Sequence, residues 1–320
     1  MRGAFPIRLL ALDIDGTLVG RDLVLRERTI AAVRAARARG VRVSLVTGRM
    51  ASSAMRFVAQ LGLDDPVVAY QGALIRAMPA RERFERWKAS GADALPPPVG
   101  RALRHTPLPA AVARETVLWS RAKGLDPHAN HLERFIIRAD DPRIEDYSAF
   151  MGARAELVPD LPAALTHPVT KVLAVGEAAL PLALLDDARR DFAGRADATI
   201  SHPRFLEFVA PGVSKGRALR WLARRAGVPI EHTMAIGDQW NDLEMLAAAG
   251  HGVAMPSAPF AVREAADYLA PPVEEEGAAT VIEALVLAGR AAEMNAHRLA
   301  AEAHQALGRD DRRTAERATA

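Results

Sequence analysis

The amino-acid sequence predicts an α/β protein, built on a doubly wound parallel sheet into which a separate α+β unit is inserted. Short apolar runs alternate with single amphipathic helices in the first 75 residues, and the alternation returns at Ser214. Strands that alternate with single helices pair in parallel, and helices cover both faces of such a sheet. The section between them is rich in Pro, Arg and aromatic residues and breaks the pattern.

The first part of the sheet is predicted from three strands and two helices. The predicted elements are strands at residues 8–12, 41–46 and 66–70 and helices at residues 26–39 and 52–61. Ile30 and Val33 recur at helical spacing, which indicates one buried face on the first helix. Gly40 and Gly62 follow the two helices, where a glycine commonly ends a helix.

The middle section is predicted to be an inserted cap with its own strands and helices. Its predicted elements are strands at residues 134–137, 170–175 and 204–209 and helices at residues 141–152 and 180–192. The predicted division of the chain is a core at 1–80 and 210–290, a cap at 81–209, and a helical or partly disordered tail at 291–320.

The core pattern resumes after the predicted cap. Predicted elements are helices at residues 215–226, 241–249 and 259–266 and strands at residues 233–236 and 253–255. From residue 282 the chain is rich in alanine, which favours helix.

Composition narrows the classes of function. Half of the 320 residues are hydrophobic and a quarter are charged, as in an ordinary globular protein. The net charge of +3 gives no reason to expect a nucleic-acid partner. The chain has no cysteine, so disulfides, thiolate metal sites and cysteine nucleophiles are excluded. We read neither a signal peptide nor an 18-residue apolar stretch, and therefore expect a cytoplasmic protein, monomer or homodimer, without a membrane partner.

Asp13 and Asp15 follow the first predicted strand. Residues two apart on a strand point to the same side, so the two carboxylates leave the sheet together, at the end where open α/β sheets bind ligands. A hard divalent cation would relieve their mutual repulsion. A turn cap and a solvated carboxylate would explain the pair equally well, whereas an EF-hand calcium loop fits the preceding strand and early glycine poorly.

Two further motifs contain groups that bind phosphate. Thr47 and Gly48 end the second strand, where a hydroxyl and free backbone N–H groups form a phosphate cradle. Taken alone, a threonine such as Thr47 is more often a helix N-cap or turn residue. Lys215 stands at a helix start, against the helix dipole, and such local conflicts are frequent at functional sites. Taken alone, Lys215 would be a solvated surface lysine.

The fourth motif is Asp238, Asn241 and Asp242, which follow a short apolar strand and open a helix. One of these three side chains can be explained as a helix cap, but not all three. Four polar motifs therefore stand at strand ends or helix starts of one predicted sheet, which indicates a single site for metal and phosphate.

These motifs resemble those of the haloacid dehalogenase superfamily, most closely its Cof-type phosphatases with a large α/β cap (type IIB). The matching runs are Asp13-Ile14-Asp15-Gly16-Thr17-Leu18, Thr47-Gly48-Arg49, Ser214-Lys215-Gly216 and Gly237-Asp238-Gln239-Trp240-Asn241-Asp242. The resemblance spans residues 7–287 and is specific for the superfamily. It says much less about the substrate.

The resemblance implies that Asp13 is the nucleophile and Asp15 the general acid and base. It implies that Mg²⁺ is held by the side chains of Asp13 and Asp238 and by the backbone carbonyl of Asp15, with Asp242 supporting the metal or Lys215. The residues implied to hold the phosphoryl group are Thr47, Gly48, Lys215 and Asn241.

The resemblance implies a phosphatase for small phosphorylated metabolites, with sugar phosphates as the first candidates. A phosphosugar mutase would share the same core, and a catalytically idle binding protein would share the fold. Gln71-Gly72 stands where the family often has Asn-Gly, and Met255-Pro256-Ser257-Ala258 where it often has Met-Gly-Asn-Ala. The cap is expected to supply specificity, and Gln71, Arg49 and the aromatic-basic segment around Trp87 are the candidates for the neighbourhood of the specificity site.

Overall fold

The computed structural model describes residues 6–91, 97–151 and 153–289, and these form fourteen strands and twelve α-helices. The strands are β1 (Leu9–Leu12), β2 (Arg42–Leu45), β3 (Val67–Ala69), β4 (Leu74–Arg76), β5 (Ala102–His105), β6 (Asp126–His131), β7 (Arg134–Arg138), β8 (Ala155–Val158), β9 (Lys171–Val175), β10 (Asp197–His202), β11 (Phe205–Val209), β12 (Thr233–Gly237), β13 (His251–Ala254) and β14 (Tyr268–Leu269). The predicted tail, residues 291–320, lies outside the described residues.

The helices follow in chain order. They are α1 (Glu27–Ala38), α2 (Ala51–Leu61), α3 (Arg81–Ala89), α4 (Ala110–Ala122), α5 (Ile144–Met151), α6 (Leu161–Ala164), α7 (Leu180–Ala183), α8 (Leu185–Asp191), α9 (Lys215–Ala226), α10 (Leu243–Ala248), α11 (Phe260–Glu264) and α12 (Gly277–Val281). A 3₁₀ turn at Trp240–Asp242 leads into α10, and a π-helical segment, Ile282–Leu287, continues α12. No helix among the described residues is long and apolar enough to cross a membrane.

Five parallel strands form the central sheet, in the order β14-β13-β12-β1-β2. Side chains of β1 alternate between its two faces, because strand residues point to opposite sides in turn. Leu10 and Leu12 pack with α1, α2 and α12, whereas Leu9 and Ala11 pack with α9, α10 and α11. Helices cover both faces, so the predicted doubly wound α/β fold is confirmed.

The third predicted strand, β3, extends this sheet by one parallel bridge between Val46 and Val68. Antiparallel strands β4 and β5 continue from β3 and form a three-stranded sheet with it. The sequence did not predict β4 or β5.

A second sheet of six mostly antiparallel strands lies in the middle section, in the order β10-β11-β9-β6-β7-β8. Helices α4, α6 and α8 cover one face of it. On the other face, Phe135, Leu173 and Val175 pack against Met50 and Tyr70 of the first unit. The predicted inserted α+β cap is confirmed, and the cap sheet faces the carboxyl ends of the central strands.

The domain boundaries remain a prediction. The packing favours a first boundary later than residue 81, because β5 pairs with β4. Phe84 and Trp87 of α3 belong to the same apolar cluster as Leu12. The chain enters the second unit at Leu108, which pairs with Val169.

The segment around Trp87, a candidate for the neighbourhood of the specificity site, does not lie at the cavity. Trp87 is buried against the core and stacks on Phe84, with ring centroids 5.6 Å apart. Neither ring lines the cavity described below. Helix α3 was not predicted, because seven of its nine residues are not large and apolar and the helical period shows only in the Phe84–Trp87 pair.

Candidate active site

A cavity of about 600 Å³ lies between the carboxyl ends of the central strands and the cap sheet. The predicted site residues that line it are Asp13, Asp15, Gly48, Asp238 and Asn241. Those buried behind its wall are Thr47, Lys215 and Asp242. The four motifs meet because β1, β2 and β12 are adjacent parallel strands that end at one edge of the sheet.

Lys215 is fully buried, which excludes the solvated surface lysine considered from the sequence. Its Nζ lies 2.8 Å from Oδ1 of Asp13 and 2.7 Å from Oδ1 of Asp242. Burial alone would lower the pKa of Lys215, but these two carboxylates raise it, so the side chain stays an ammonium. Ser214 caps helix α9, because its side chain accepts a hydrogen bond from the backbone N–H of Arg217.

Asp13 and Asp238 are buried carboxylates, and the positive charge around them is too small to offset the effect of burial on their pKa values. The pKa of Asp13 is raised to about 7: burial is the main cause, Asp242 and Asp15 add to it, and Lys215 opposes it. The pKa of Asp238 is raised well above its usual value by burial and by the charges of Asp13 and Asp242. A bound cation would stabilise both groups in their ionised form.

Oxygen atoms of Asp13, Asp238 and Asp242 lie within 4.8 Å of one another and form an all-oxygen donor set, which suits Mg²⁺. Asp242 is already engaged, because Oδ1 accepts from Lys215 and Oδ2 from the backbone N–H groups of Asp238 and Gln239. Asp13 and Asp238 are therefore the side chains best placed to hold a cation, and Asp242 to hold Lys215 and the loop.

Gly16 makes room for Asp238. A Cβ on residue 16 would lie 2.3 Å from Oδ2 of Asp238, and residue 16 has a φ of +75°. Only glycine satisfies both conditions without strain.

Asp15 forms an ion pair with Arg49 at the cavity wall. Nε of Arg49 lies 2.6 Å from Oδ2 of Asp15, and Nη2 lies 2.5 Å from Oδ1. The Arg49 side chain is 4% exposed and that of Asp15 is 40% exposed. The buried fork of Arg49 thus fixes the orientation of a carboxylate that solvent can reach.

Thr47 acts as a turn residue in this structure. It is buried, and its Oγ1 accepts a hydrogen bond of 3.1 Å from the backbone N–H of Arg49. This contact favours the turn interpretation of Thr47, because helix α2 begins only at Ala51. A contact of Thr47 with phosphate stays a prediction.

Gln71 bridges the core motifs and the cap. Its Oε1 accepts from Nδ2 of Asn241 at 2.8 Å, and its Nε2 donates to Oε2 of Glu207 at 3.1 Å. Gln71 has a φ of +61°, a conformation that asparagine and glycine adopt more readily. Its extra methylene beyond asparagine lengthens the reach to Glu207. Of the sequence candidates for this neighbourhood, Gln71 and Arg49 therefore both lie at the site.

The cap contributes side chains that sequence reasoning missed. Those that line the cavity are Lys171, Leu173, Ser201, His202, Phe205 and Glu207. Nζ of Lys171 donates to Oε2 of Glu207 at 2.8 Å and to the backbone carbonyl of Gly48 at 3.0 Å, and both side chains are buried. A useful signal was present: Lys171 and Glu207 are single charges within apolar strands, and charges are seldom buried unless paired.

The family model of haloacid dehalogenase-like hydrolases matches residues 10–95 and 98–282. The chain belongs to the haloacid dehalogenase superfamily. The resemblance seen in the four motifs, to the Cof-type branch with a large α/β cap, is thereby confirmed. Together with the phosphatase relatives named next, this membership identifies the chain as a phosphatase.

Two curated relatives at least 30% identical to this haloacid dehalogenase protein carry phosphatase names. The HMP-PP phosphatase of Serratia proteamaculans is 33% identical over 255 residues, which is 78% of this chain and 84% of the relative. The 5-amino-6-(5-phospho-D-ribitylamino)uracil phosphatase of Bacillus subtilis is 30% identical over 282 residues, 85% of this chain and 94% of the relative.

Solved structures share the fold. A haloacid dehalogenase-like hydrolase from Bacteroides thetaiotaomicron superposes with a TM-score of 0.69 at 25% identity, covering 87% of this chain and 99% of that one. A subclass IIB sugar phosphatase superposes with a TM-score of 0.69 at 20% identity, covering 86% and 98%. At that identity the second likeness supports the fold alone.

Proposed function

We propose that this phosphatase hydrolyses small phosphorylated metabolites with the help of Mg²⁺, through an aspartyl-phosphate formed on Asp13. The observation that carries the proposal is the position of Asp13: it lines the cavity, its Oδ1 is fixed by the buried Lys215, and Asp238 lies beside it. A carboxylate nucleophile repels a phosphate dianion. The reaction therefore needs positive charge close to both the carboxylate and the phosphate.

Asp13 and Asp238, with the backbone carbonyl of Asp15, would hold the Mg²⁺. The bound ion would neutralise charge on the phosphoryl oxygens and on the nucleophile. Lys215 supplies a second, permanent positive charge, which two carboxylates keep in place.

The proposed reaction has two steps. In the first, an oxygen of Asp13 attacks phosphorus, the bond between phosphorus and the leaving oxygen breaks, and Asp15 gives that oxygen a proton. In the second, Asp15 takes a proton from a water that attacks phosphorus, and the aspartyl bond breaks to release phosphate. Each oxygen of Asp15 accepts one hydrogen bond from Arg49 and keeps a second lone pair for the proton that it gives or takes.

The groups proposed to hold the phosphoryl oxygens are those of Thr47, Gly48, Lys215 and Asn241. The Asn241 amide has two N–H donors, one of which Gln71 occupies. The other remains for a phosphoryl oxygen, in an orientation fixed by Gln71.

The substrate class rests on the relatives and on the size of the cavity. Relatives are named for HMP-PP, for a phosphorylated ribitylaminouracil and for phosphoglycolate, which have small size and a phosphate group in common. Sugar phosphates, the first candidates from the sequence, belong in the first test together with these esters.

The decisive test is phosphate release from a panel of small phosphate esters, with Mg²⁺ and with EDTA. We expect turnover that EDTA abolishes and Mg²⁺ restores, and a loss of at least about a thousandfold in Asp13→Asn. Acid-quenched protein should carry one added phosphoryl group, which Asp13→Asn lacks. Silence across the panel, or full activity in Asp13→Asn, would overturn the proposal.

Two alternatives are decided by the same experiment. A phosphosugar mutase would return an isomeric sugar phosphate in place of inorganic phosphate. An idle binding protein would bind esters without releasing phosphate, although it has no need for Asp15 beside Asp13.

A further inference from the structure

A chain of hydrogen bonds runs from the cap sheet to the proposed phosphate site. Glu207 lies on β11 of the cap, Gln71 follows β3 of the core, and Asn241 lies in the 3₁₀ turn before α10. Nε2 of Gln71 donates to Oε2 of Glu207 at 3.1 Å, and Nδ2 of Asn241 donates to Oε1 of Gln71 at 2.8 Å. These three side chains form what we call the orientation relay.

Glu207 fixes the direction of the hydrogen bonds in the relay. Its carboxylate is buried and accepts from three donors: Lys171, at 2.8 Å, Gln71 and Ser201. A carboxylate paired with an ammonium group only accepts hydrogen bonds. Gln71 must therefore turn its NH₂ group towards Glu207, because the reversed amide would place Oε1 against a negatively charged oxygen.

The direction passes from Gln71 to Asn241. Since Gln71 presents Oε1 to Asn241, the Asn241 amide must answer with Nδ2. Oδ1 of Asn241 is buried and has no hydrogen-bond partner among the described residues, so no other bond there selects the orientation of the amide. In the reversed orientation, Oδ1 would take the place of Nδ2 and offer the phosphoryl group a lone pair in place of the remaining N–H.

The backbone around Gln71 is strained. Tyr70 has a φ of +51° and Gln71 a φ of +61°, and two consecutive residues other than glycine seldom adopt this conformation. Both side chains contact the cap, because the Tyr70 hydroxyl donates to the carbonyl of Leu132 at 2.6 Å. Strain that the surroundings maintain in this way commonly accompanies a functional site.

We propose that Glu207 is a positioning residue for the phosphoryl group: through Gln71, it fixes which atom of the Asn241 amide faces the phosphate. This inference rests on the phosphate site of the proposed function and assigns to that site a cap residue that acts only through others. Because Glu207 belongs to the cap and Gln71 to the core, the Asn241 donor is oriented only while the cap is docked.

Two variants at Glu207 separate orientation from stability. Glu207→Gln keeps an acceptor oxygen for Lys171 and Gln71, so it preserves the direction of the relay, although the buried Lys171 charge loses its partner. Lys171→Met with Glu207→Leu removes the buried charge together with the acceptor, so the Gln71 amide is free to reverse. We expect this double variant to be the more stable protein and the weaker binder of phosphate. A merely structural role would put stability and phosphate affinity in the same order.

Titration calorimetry with inorganic phosphate and Mg²⁺ would measure the effect at the phosphoryl group, since this probe has no leaving group. We expect Kd to rise about three- to tenfold in the double variant, the equivalent of one hydrogen bond, and less than twofold in Glu207→Gln. The kcat/KM for the best ester of the panel should fall by a similar factor. The control Glu156→Gln alters an exposed carboxylate of the same cap sheet and should change neither value.

A second background tests whether the effect passes through Asn241. Asn241→Ala removes the group through which Glu207 is proposed to act, so adding Lys171→Met with Glu207→Leu should raise Kd for phosphate less than twofold further. A further rise of three- to tenfold would overturn the relay. The effect would then pass through another contact, such as that of Lys171 with the Gly48 carbonyl.

Other outcomes also decide. An unchanged Kd for phosphate in the double variant, with or without a higher KM for the ester, would overturn the relay, because Glu207 would then act on the leaving group or not at all. If the double variant fails to fold, Gln71→Met decides: it breaks the relay, leaves Lys171 and Glu207 paired, and should raise Kd three- to tenfold.

Failure of this inference is distinct from failure of the proposed function. Absence of turnover with every ester would overturn the proposed function, whereas the affinities for inorganic phosphate would still decide the relay. Parent protein that neither releases phosphate from an ester nor binds inorganic phosphate would overturn both.

Discussion

Gly48 and Gln71 compete for the same space at the cavity wall. A Cβ on residue 48 would lie 2.4 Å from Nε2 of Gln71, whose amide holds Asn241 and Glu207. Gly48→Ala should therefore displace the Gln71 amide and misalign Asn241. We expect kcat/KM to fall by about tenfold, since small displacements of positioning groups are costly. Steady-state kinetics on the best ester would measure the fall.

A second substitution tests the steric reason. Gln71→Asn shortens the side chain, so the double variant Gly48→Ala with Gln71→Asn should recover part of the activity that Gly48→Ala loses. No recovery would mean that Gly48 matters for another reason.

His128 should make the folded protein sensitive to acid. It is buried, neither ring nitrogen has a hydrogen-bond partner among the described residues, and burial lowers its pKa to about 3. Between pH 6.5 and 3 the unfolded chain binds a proton that the folded chain does not, so stability falls as pH falls. We expect His128 to account for about 2 kcal/mol of lost unfolding free energy at pH 5.

Urea unfolding at pH 7 and pH 5 would measure this loss of unfolding free energy. His128→Leu should show a smaller loss between the two pH values than the parent does. The control His167→Leu removes an exposed histidine. Its unfolding free energy should fall between pH 7 and pH 5 by as much as that of the parent. An equal loss in His128→Leu would contradict the argument.

At the residue scale, the sequence predicted groups whose chemistry is visible locally. Asp13, Lys215 and Asp238 stand at strand ends or helix starts, where local sequence already implies function. The contact of Gln71 with Glu207 joins residues 136 positions apart. No local pattern specifies such a contact, so it required the structure.

Strands β9 and β11 are linked by the buried ion pair of Lys171 and Glu207. Glu207→Gln would leave the Lys171 ammonium buried without a countercharge. We expect a loss of about 3–5 kcal/mol of unfolding free energy, because an unpaired buried charge is expensive. Chemical denaturation would measure it.

The double variant Lys171→Met with Glu207→Leu removes both charges and should be more stable than Glu207→Gln alone. The exposed pair of Arg134 and Glu156 joins the nearby strands β7 and β8 and serves as the control. Glu156→Gln should cost less than about 1 kcal/mol. Equal losses at both sites would contradict the role of burial.

At the element scale, elements with a strong local period were predictable. Helix α9 begins and ends at the predicted residues, because its apolar positions recur every three to four residues. The predicted helix at residues 180–192 is instead two helices, α7 and α8, separated at Leu184. Strand β14 has only two residues, too few to show a period.

Glu133, in the cap, attaches the cap to the core through two hydrogen bonds. Its carboxylate accepts from Nε of Arg76 and from the backbone N–H of Ser52, each at 2.9 Å. Beside it, the Tyr70 hydroxyl donates to the carbonyl of Leu132 at 2.6 Å. Glu133→Ala should therefore loosen the cap, raise KM and speed hydrogen exchange at the start of α2.

Hydrogen exchange with mass spectrometry would locate the effect. We expect faster exchange around Ser52, with central strand β1 unchanged. The control Glu156→Ala removes an exposed carboxylate of the same cap sheet and should leave this region as protected as before. Uniformly faster exchange throughout the chain would indicate global destabilisation and contradict a local attachment.

At the scale of the whole molecule, the core fold followed from the sequence and the cap topology did not. Alternating strands and helices restrict a chain to few parallel arrangements, because crossover connections are right-handed. The cap order β10-β11-β9-β6-β7-β8 mixes antiparallel and parallel neighbours and follows no such restriction. The placement of the cap over Asp13 depends on the same non-local contacts.

The alternation of β9 and β11 divides the cap strands into two independent sets of positions. Residues that face the cavity and core are Lys171, Leu173, Val175, Phe205, Glu207 and Val209. Residues that face the cap helices are Val172, Ala174, Leu206 and Phe208. The ester that the enzyme accepts can therefore change through Leu173 and Phe205, which line the cavity, while the residues that face the cap helices preserve the scaffold. A directed-evolution library for new esters would vary Leu173 and Phe205 and leave every second residue untouched.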